Sequence, residues 1–149
     1  MDDTGQFYPT YNNMIGQARS LTTAMEMSID SATTRVDSSE VRVGVHITPT
    51  DSGVNSMKDL MLVAVVFEDS APYYSALRGE TAYAPYCARC VIGDTWGVPI
   101  SLRLGVDYDT VLATPLGEWK KSHLGIAVFV QDTSSLRVLQ SAGKQRLLN

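Results

Sequence analysis

This chain has few residues suited to chemistry. Among its 149 residues are two cysteines and two histidines. Two cysteines are too few to form the disulfide scaffold of a small secreted domain. A closed zinc site takes about four ligands, so it would need both cysteines and both histidines together. Charged residues are 19% of the chain and the net charge is −4. Lys120-Lys121 is the longest basic run. Such a balance argues against a nucleic-acid partner, because phosphate backbones are held by clustered Lys and Arg. No apolar run approaches the ~18 residues of a membrane-spanning helix. The opening "MDDTGQFYPTYNN" lacks the charged and apolar regions of a signal peptide. A mature exported chain would look the same, so export stays open. Neither a phosphate-cradling glycine loop nor a G-x-S-x-G nucleophile turn is present. The expectation is therefore a non-enzyme with no catalytic residue, no cofactor and no metal.

What the chain does have is alternation. In "AMEMSID", Met25, Met27 and Ile29 alternate with Glu26, Ser28 and Asp30. In "EVRVGVHIT", Val41, Val43, Val45 and Ile47 share one side. A period of two with one apolar side is what a half-buried antiparallel strand requires. Further strands are expected in "LMLVAVVFE" and over 86–92, 98–104, 123–131 and 136–141, separated by the turn segments "DSAP", "GDTWG" and "QDTSS". Ahead of them, Met14, Ala18 and Leu21, widened by Ile15, predict a short helix over about 11–22. The pattern predicts an all-β protein, an antiparallel β-sandwich preceded by that short N-terminal helix. The division is an N-terminal extension over 1–23, a sandwich domain over 24–142 and a tail over 143–149.

The one stretch with the look of chemistry is "YCARC", with Cys87 and Cys90 at C-x-x-C spacing. Haem attachment needs a His after the second Cys, and Val91 stands there. A thioredoxin-type pair needs a helix N-terminus to lower the first thiol's pKa, whereas this stretch reads as strand running into a turn. Residues three apart in a regular strand face opposite ways, so the two thiols are expected to be unlinked packing residues. A thiol-redox or metal-binding role for Cys87 and Cys90 is kept as the alternative. Glu68-Asp69 reads as a strand end and turn rather than as a catalytic carboxylate pair. His46 reads as solvated and His123 as a turn-edge residue.

Two strands carry more apolar surface than one core face needs. Met61, Val63, Val65 and Phe67 oppose Leu60, Leu62, Ala64 and Val66, and "LGIAVFV" is similarly apolar on both sides. A large exposed apolar patch is rare in a soluble monomer, so Met61, Val63, Val65 and Phe67 are candidate contacts for the helix or another subunit. Tyr73, Tyr74 and Tyr83 join them, because Tyr is enriched at interfaces; cover for the sandwich rim is the equal alternative for these rings.

The order of segments resembles a known family. "LMLVAVVFEDS", then "YCARCVIGDTWGVPI", then "HLGIAVFVQDTSSLRVLQSA" resembles the C-terminal β-sandwich of the 28-kDa outer-membrane-protein-like family. The matching positions are Ala127, Phe129, Val130, Gln131, Asp132, Val138, Leu139 and Gln140, with Arg89 and Trp96-Gly97 upstream. Tyr86 stands where that family has a His, and no thioredoxin-type active-site cysteines precede it. The resemblance implies an Ig-like sandwich and an extracytoplasmic address: periplasmic, outer-membrane-associated or at the cell surface. It carries over no catalytic residue. With the second apolar face, it leads to an expected structural or interaction module that self-associates into a homo-oligomer or filament.

Overall fold

The computed structural model describes residues 23–93 and 96–148. The helix expected over 11–22 lies outside the described residues.

The described residues form ten strands: β1 (Met25–Val36), β2 (Glu40–Pro49), β3 (Leu60–Glu68), β4 (Ala71–Ser75), β5 (Glu80–Ala84), β6 (Cys87–Val91), β7 (Val98–Ile100), β8 (Tyr108–Pro115), β9 (Leu124–Asp132) and β10 (Arg137–Lys144). Every pairing is antiparallel. One sheet has the order β1-β2-β8. The other has the order β10-β9-β3-β6, with β7 also pairing to β3 beside the Leu60 end. The interior between them is built from Val41, Val43, Val45 and Ile47 on one side. Leu60, Leu62, Ala64 and Val66 of β3, with Leu124, Ile126, Val128 and Val130 of β9, form the other. These are the residues that the alternation placed inward, so the register read from the pattern holds. A slip of one residue would have turned each set to solvent.

The polar segment between β2 and β3 is not featureless. Residues 52–56 form a short 3₁₀ turn capped by the Asp51 side chain, which accepts from the Gly53 N–H at 2.7 Å. That turn drops Val54 into the core. The strand expected over 98–104 ends at Ile100, and the last strand runs on to Lys144. Beyond it Leu147 is buried, and its N–H donates to the Leu124 carbonyl at 2.8 Å, which fastens the tail to the start of β9.

Candidate functional site

β4 and β5 form a two-stranded sheet of their own. The last rung joining β3 to β6 is Glu68 opposite Cys87, and the first rung of the hairpin is Ala71 opposite Ala84. The hairpin is thus a continuation of the β3–β6 ribbon beyond the sandwich. Only Asp69-Ser70 on one side and Pro85-Tyr86 on the other separate the two parts. Ser70 (φ 55°) and Tyr86 (φ 51°) both adopt the left-handed conformation that non-glycine residues rarely use, and these two residues redirect the ribbon.

Residues directly opposite in an antiparallel pair share a face, as do residues two apart. Pro72 pairs with Tyr83 and Tyr74 with Thr81, so Pro72, Tyr74, Thr81 and Tyr83 lie on one face of the hairpin. Tyr74 is 70% exposed and Tyr83 65%. Tyr73, on the other face, is exposed as well, and Leu77 at the tip is 98% exposed. Ring faces of this kind bury large area with little loss of side-chain freedom, which is why Tyr concentrates in contact surfaces. The sequence singled out the three tyrosines but missed the strands that carry them, and it missed Leu77.

The outer face of β3 is less open than its composition suggests. Val63 is buried, while Met61, Val65 and Phe67 are half-buried. Gly97 (φ +96°) explains part of this: a Cβ there would meet the Leu62 carbonyl oxygen at 2.5 Å and a Val63 methyl at 2.9 Å. The absent side chain lets the loop backbone lie directly on Val63. The Phe67 ring lies over Gly125 in the same way, and Tyr86 meets it edge-on with centroids 5.7 Å apart at 67°.

The cysteines need a correction. The β3–β6 register shifts between Val66 and Phe67, so Cys90 pairs with Val66 and Cys87 with Glu68. Val66 and Glu68 both face the interior, which puts both thiols on the inner side. The extra residue of a β-bulge cancels the odd spacing that would have turned them apart. Both are free and partly buried, and the Cys90 sulfur lies 3.9 Å from the Thr114 hydroxyl. His46 and His123 do not gather around them. His46 Nδ1 is 2.7 Å from Asp109 Oδ1, whereas the His123 Nδ1–H donates to the Asp69 carbonyl at 2.9 Å. The first contact, a hydrogen bond to Asp109, raises the His46 pKa above its ordinary value. Among the described residues, no three His, Cys, Asp or Glu side chains gather closely enough to hold a metal ion.

Glu68 is the residue the sequence undervalued. It closes β3 facing inward and is 3% exposed. Arg89 holds it through Nε at 2.8 Å and Nη2 at 2.6 Å, and the Lys120 N–H donates to its other oxygen at 3.1 Å. A carboxylate with that many donors is a structural clamp joining β3, β6 and the segment before β9.

Solved structures share this arrangement of strands. A domain of the outer membrane lipoprotein Omp28 from Porphyromonas gingivalis superposes with a TM-score of 0.59 at 13% identity, covering 85% of this chain and 90% of that one. HBP35 of Porphyromonas gingivalis superposes with a TM-score of 0.73 at 11% identity, covering 91% of this chain and 45% of that one. The fold is Omp28-like. This chain spans less than half the length of the HBP35 chain. No family model matches the sequence, and no curated protein does. At such identities the likeness concerns the fold. Among the described residues no helix is long and apolar enough to cross a membrane.

Proposed function

We propose that this chain is a non-catalytic interaction module that works outside the cytoplasm, at or near the cell surface, and self-associates. The observation that carries this reading is the β4–β5 hairpin, with Tyr73, Tyr74, Leu77 and Tyr83 held out in solvent at the end of a rigid sandwich. Tyr74 and Tyr83 share one face of the hairpin with Leu77 at its tip, and large exposed apolar side chains gathered this way mark contact sites. The outer edges of β4 and β5, unpaired among the described residues, offer N–H and C=O groups to a further strand. An Omp28-like fold, found in an outer membrane lipoprotein, supports the extracytoplasmic address. Sedimentation over a micromolar concentration series tests the reading. It requires a species heavier than the 16.2 kDa monomer, and a monomer at every concentration would end it.

One observation favours a second reading. The bulge in β6 sets Cys87 and Cys90 on the same side of the strand, which thiol chemistry would need. Titration of free thiols with and without prior reduction separates the readings. Two thiols in both samples support the interaction module, and thiols that appear only after reduction support the redox alternative.

A further inference from the structure

Beside the hairpin, on the outer face of the larger sheet, a polar notch opens into an apolar trough. The trough has a volume of about 600 Å³, and its floor is set by small residues. Gly143, Ala127 and Val65 stand on one rung across β10, β9 and β3, and Ala88 lies opposite Phe67. Phe67 and Tyr86 rise at one end, and there the trough meets the notch of about 130 Å³. Phe67, Tyr86 and Gln145 line both. The notch adds Asp69, Ser70, His123 and Arg146, and Lys144 lines the trough. The notch's rim holds three left-handed non-glycine residues: Ser70, Tyr86 and Arg146 (φ 56°). Those turns bring polar side chains to the sheet end without closing it.

Two features define what would fit. The central floor strands β9 and β3 have their backbone groups engaged in the ladder on both sides, between β10 and β6, so the middle of the floor offers an occupant almost no hydrogen bonds. A peptide pressed into it would leave amide groups unpaired against apolar surface, which is costly, whereas a hydrocarbon chain has none to lose. Charge is the second feature. Arg146 and Lys144 face the groove against one carboxylate, Asp69, in a chain whose net charge is −4. An open apolar trough that meets a notch lined by Arg146 matches an apolar body with an anionic head.

We propose that this groove binds a single-chain anionic amphiphile, a fatty-acid-like molecule, with its hydrocarbon over Ala127, Gly143 and Ala88 and its head at Arg146. The site is separate from the hairpin surface and does not depend on it.

Dodecanoate below its micelle-forming concentration is the probe, measured by calorimetry alongside dodecanol, hexanoate and an apolar peptide with a free C-terminus. Saturable 1:1 binding of dodecanoate is expected, with weaker binding of hexanoate and dodecanol. Ala127→Phe and, independently on another strand, Ala88→Phe fill the trough and should abolish it. Arg146→Gly suits the left-handed backbone, removes the cation and should weaken dodecanoate about tenfold, the size of one charge-assisted hydrogen bond, while leaving dodecanol unchanged. Unchanged thermal unfolding of each variant shows that the fold is kept. Absence of dodecanoate binding overturns the proposal, as does binding that survives both filling substitutions. Tighter binding of the peptide than of dodecanoate overturns the ligand class.

Discussion

The sandwich and the β4–β5 hairpin are made of the same kind of antiparallel ribbon but are stabilised by opposite means. In the sandwich, β3 has a wholly buried side, from Leu60 through Leu62, Ala64 and Val66 to Glu68. In the hairpin only Ala71 is buried, and the largest side chains point to solvent. A hairpin without a covered face is marginal in water. This one continues a ribbon whose other end is anchored in the core, so its order is borrowed from the sandwich. Substitutions in the sandwich should therefore change stability, and those in the hairpin should change association.

The sharpest break in that comparison is at Glu68, where the buried side of β3 ends in a charge. Arg89→Met should destabilise the fold by about 3 kcal/mol or more, because it leaves a buried carboxylate without its ion-pair partner. Chemical denaturation reads this directly. Replacing both residues, Glu68→Leu with Arg89→Met, should recover much of the loss, since no unpaired charge remains.

Leu62→Ala should lower stability by about 3 kcal/mol, the range of a buried leucine that leaves a cavity. The neighbouring Met61→Ala, on the half-covered side, should lose less than half as much. Equal losses would mean that the outer face is packed as tightly as the core. In the hairpin, the combined Tyr74→Ser, Leu77→Asp and Tyr83→Ser variant should change stability by no more than about 0.5 kcal/mol per site, as for exposed positions elsewhere. The same variant should sediment as a monomer.

The smallest effect is on the outer face of β2. The hydrogen bond from His46 to Asp109 raises the histidine's pKa above its ordinary value of 6.5. A group whose pKa is higher folded than unfolded stabilises the fold below its unfolded value. This contribution is complete below about pH 6.5 and is lost as the pH rises through the raised folded value. His46→Gln should remove that slope from the stability profile as the pH rises above about 6.5. An unchanged slope would mean that the pair does not persist in solution.

The part of the fold legible in the sequence was the part that buries one side of a strand. β2 alternates cleanly, with Val43 and Val45 facing the core, whereas β3 and β9 read as strands because they are long apolar runs, of which Leu62, Val66, Val128 and Val130 face the core. β8 is hard to read from sequence because, among the described residues, it is an edge strand paired with β2 alone, and its single buried residue is Leu112. β4 and β5 escaped because a ribbon with almost no core face has no reason to alternate. The tyrosines drew attention as a residue type, without the strands that present them. The sense of the C-x-x-C pair was misread because one bulge between Val66 and Phe67 reverses it, and a bulge of non-glycine residues leaves no mark in composition. Glu68 looked like a turn residue because its partner Arg89 lies 21 positions away, on the neighbouring strand.

The most direct measurement is amide hydrogen exchange at several protein concentrations. Protection within β2, β3 and β9 should be strong and independent of concentration, as for a core that opens only on global unfolding. Protection of residues 71–84 should be weak when the protein is dilute and rise as it is concentrated, because contact with a second copy covers the hairpin. Concentration-independent exchange in the hairpin, or new protection confined to the free edges of the sandwich, would contradict the account.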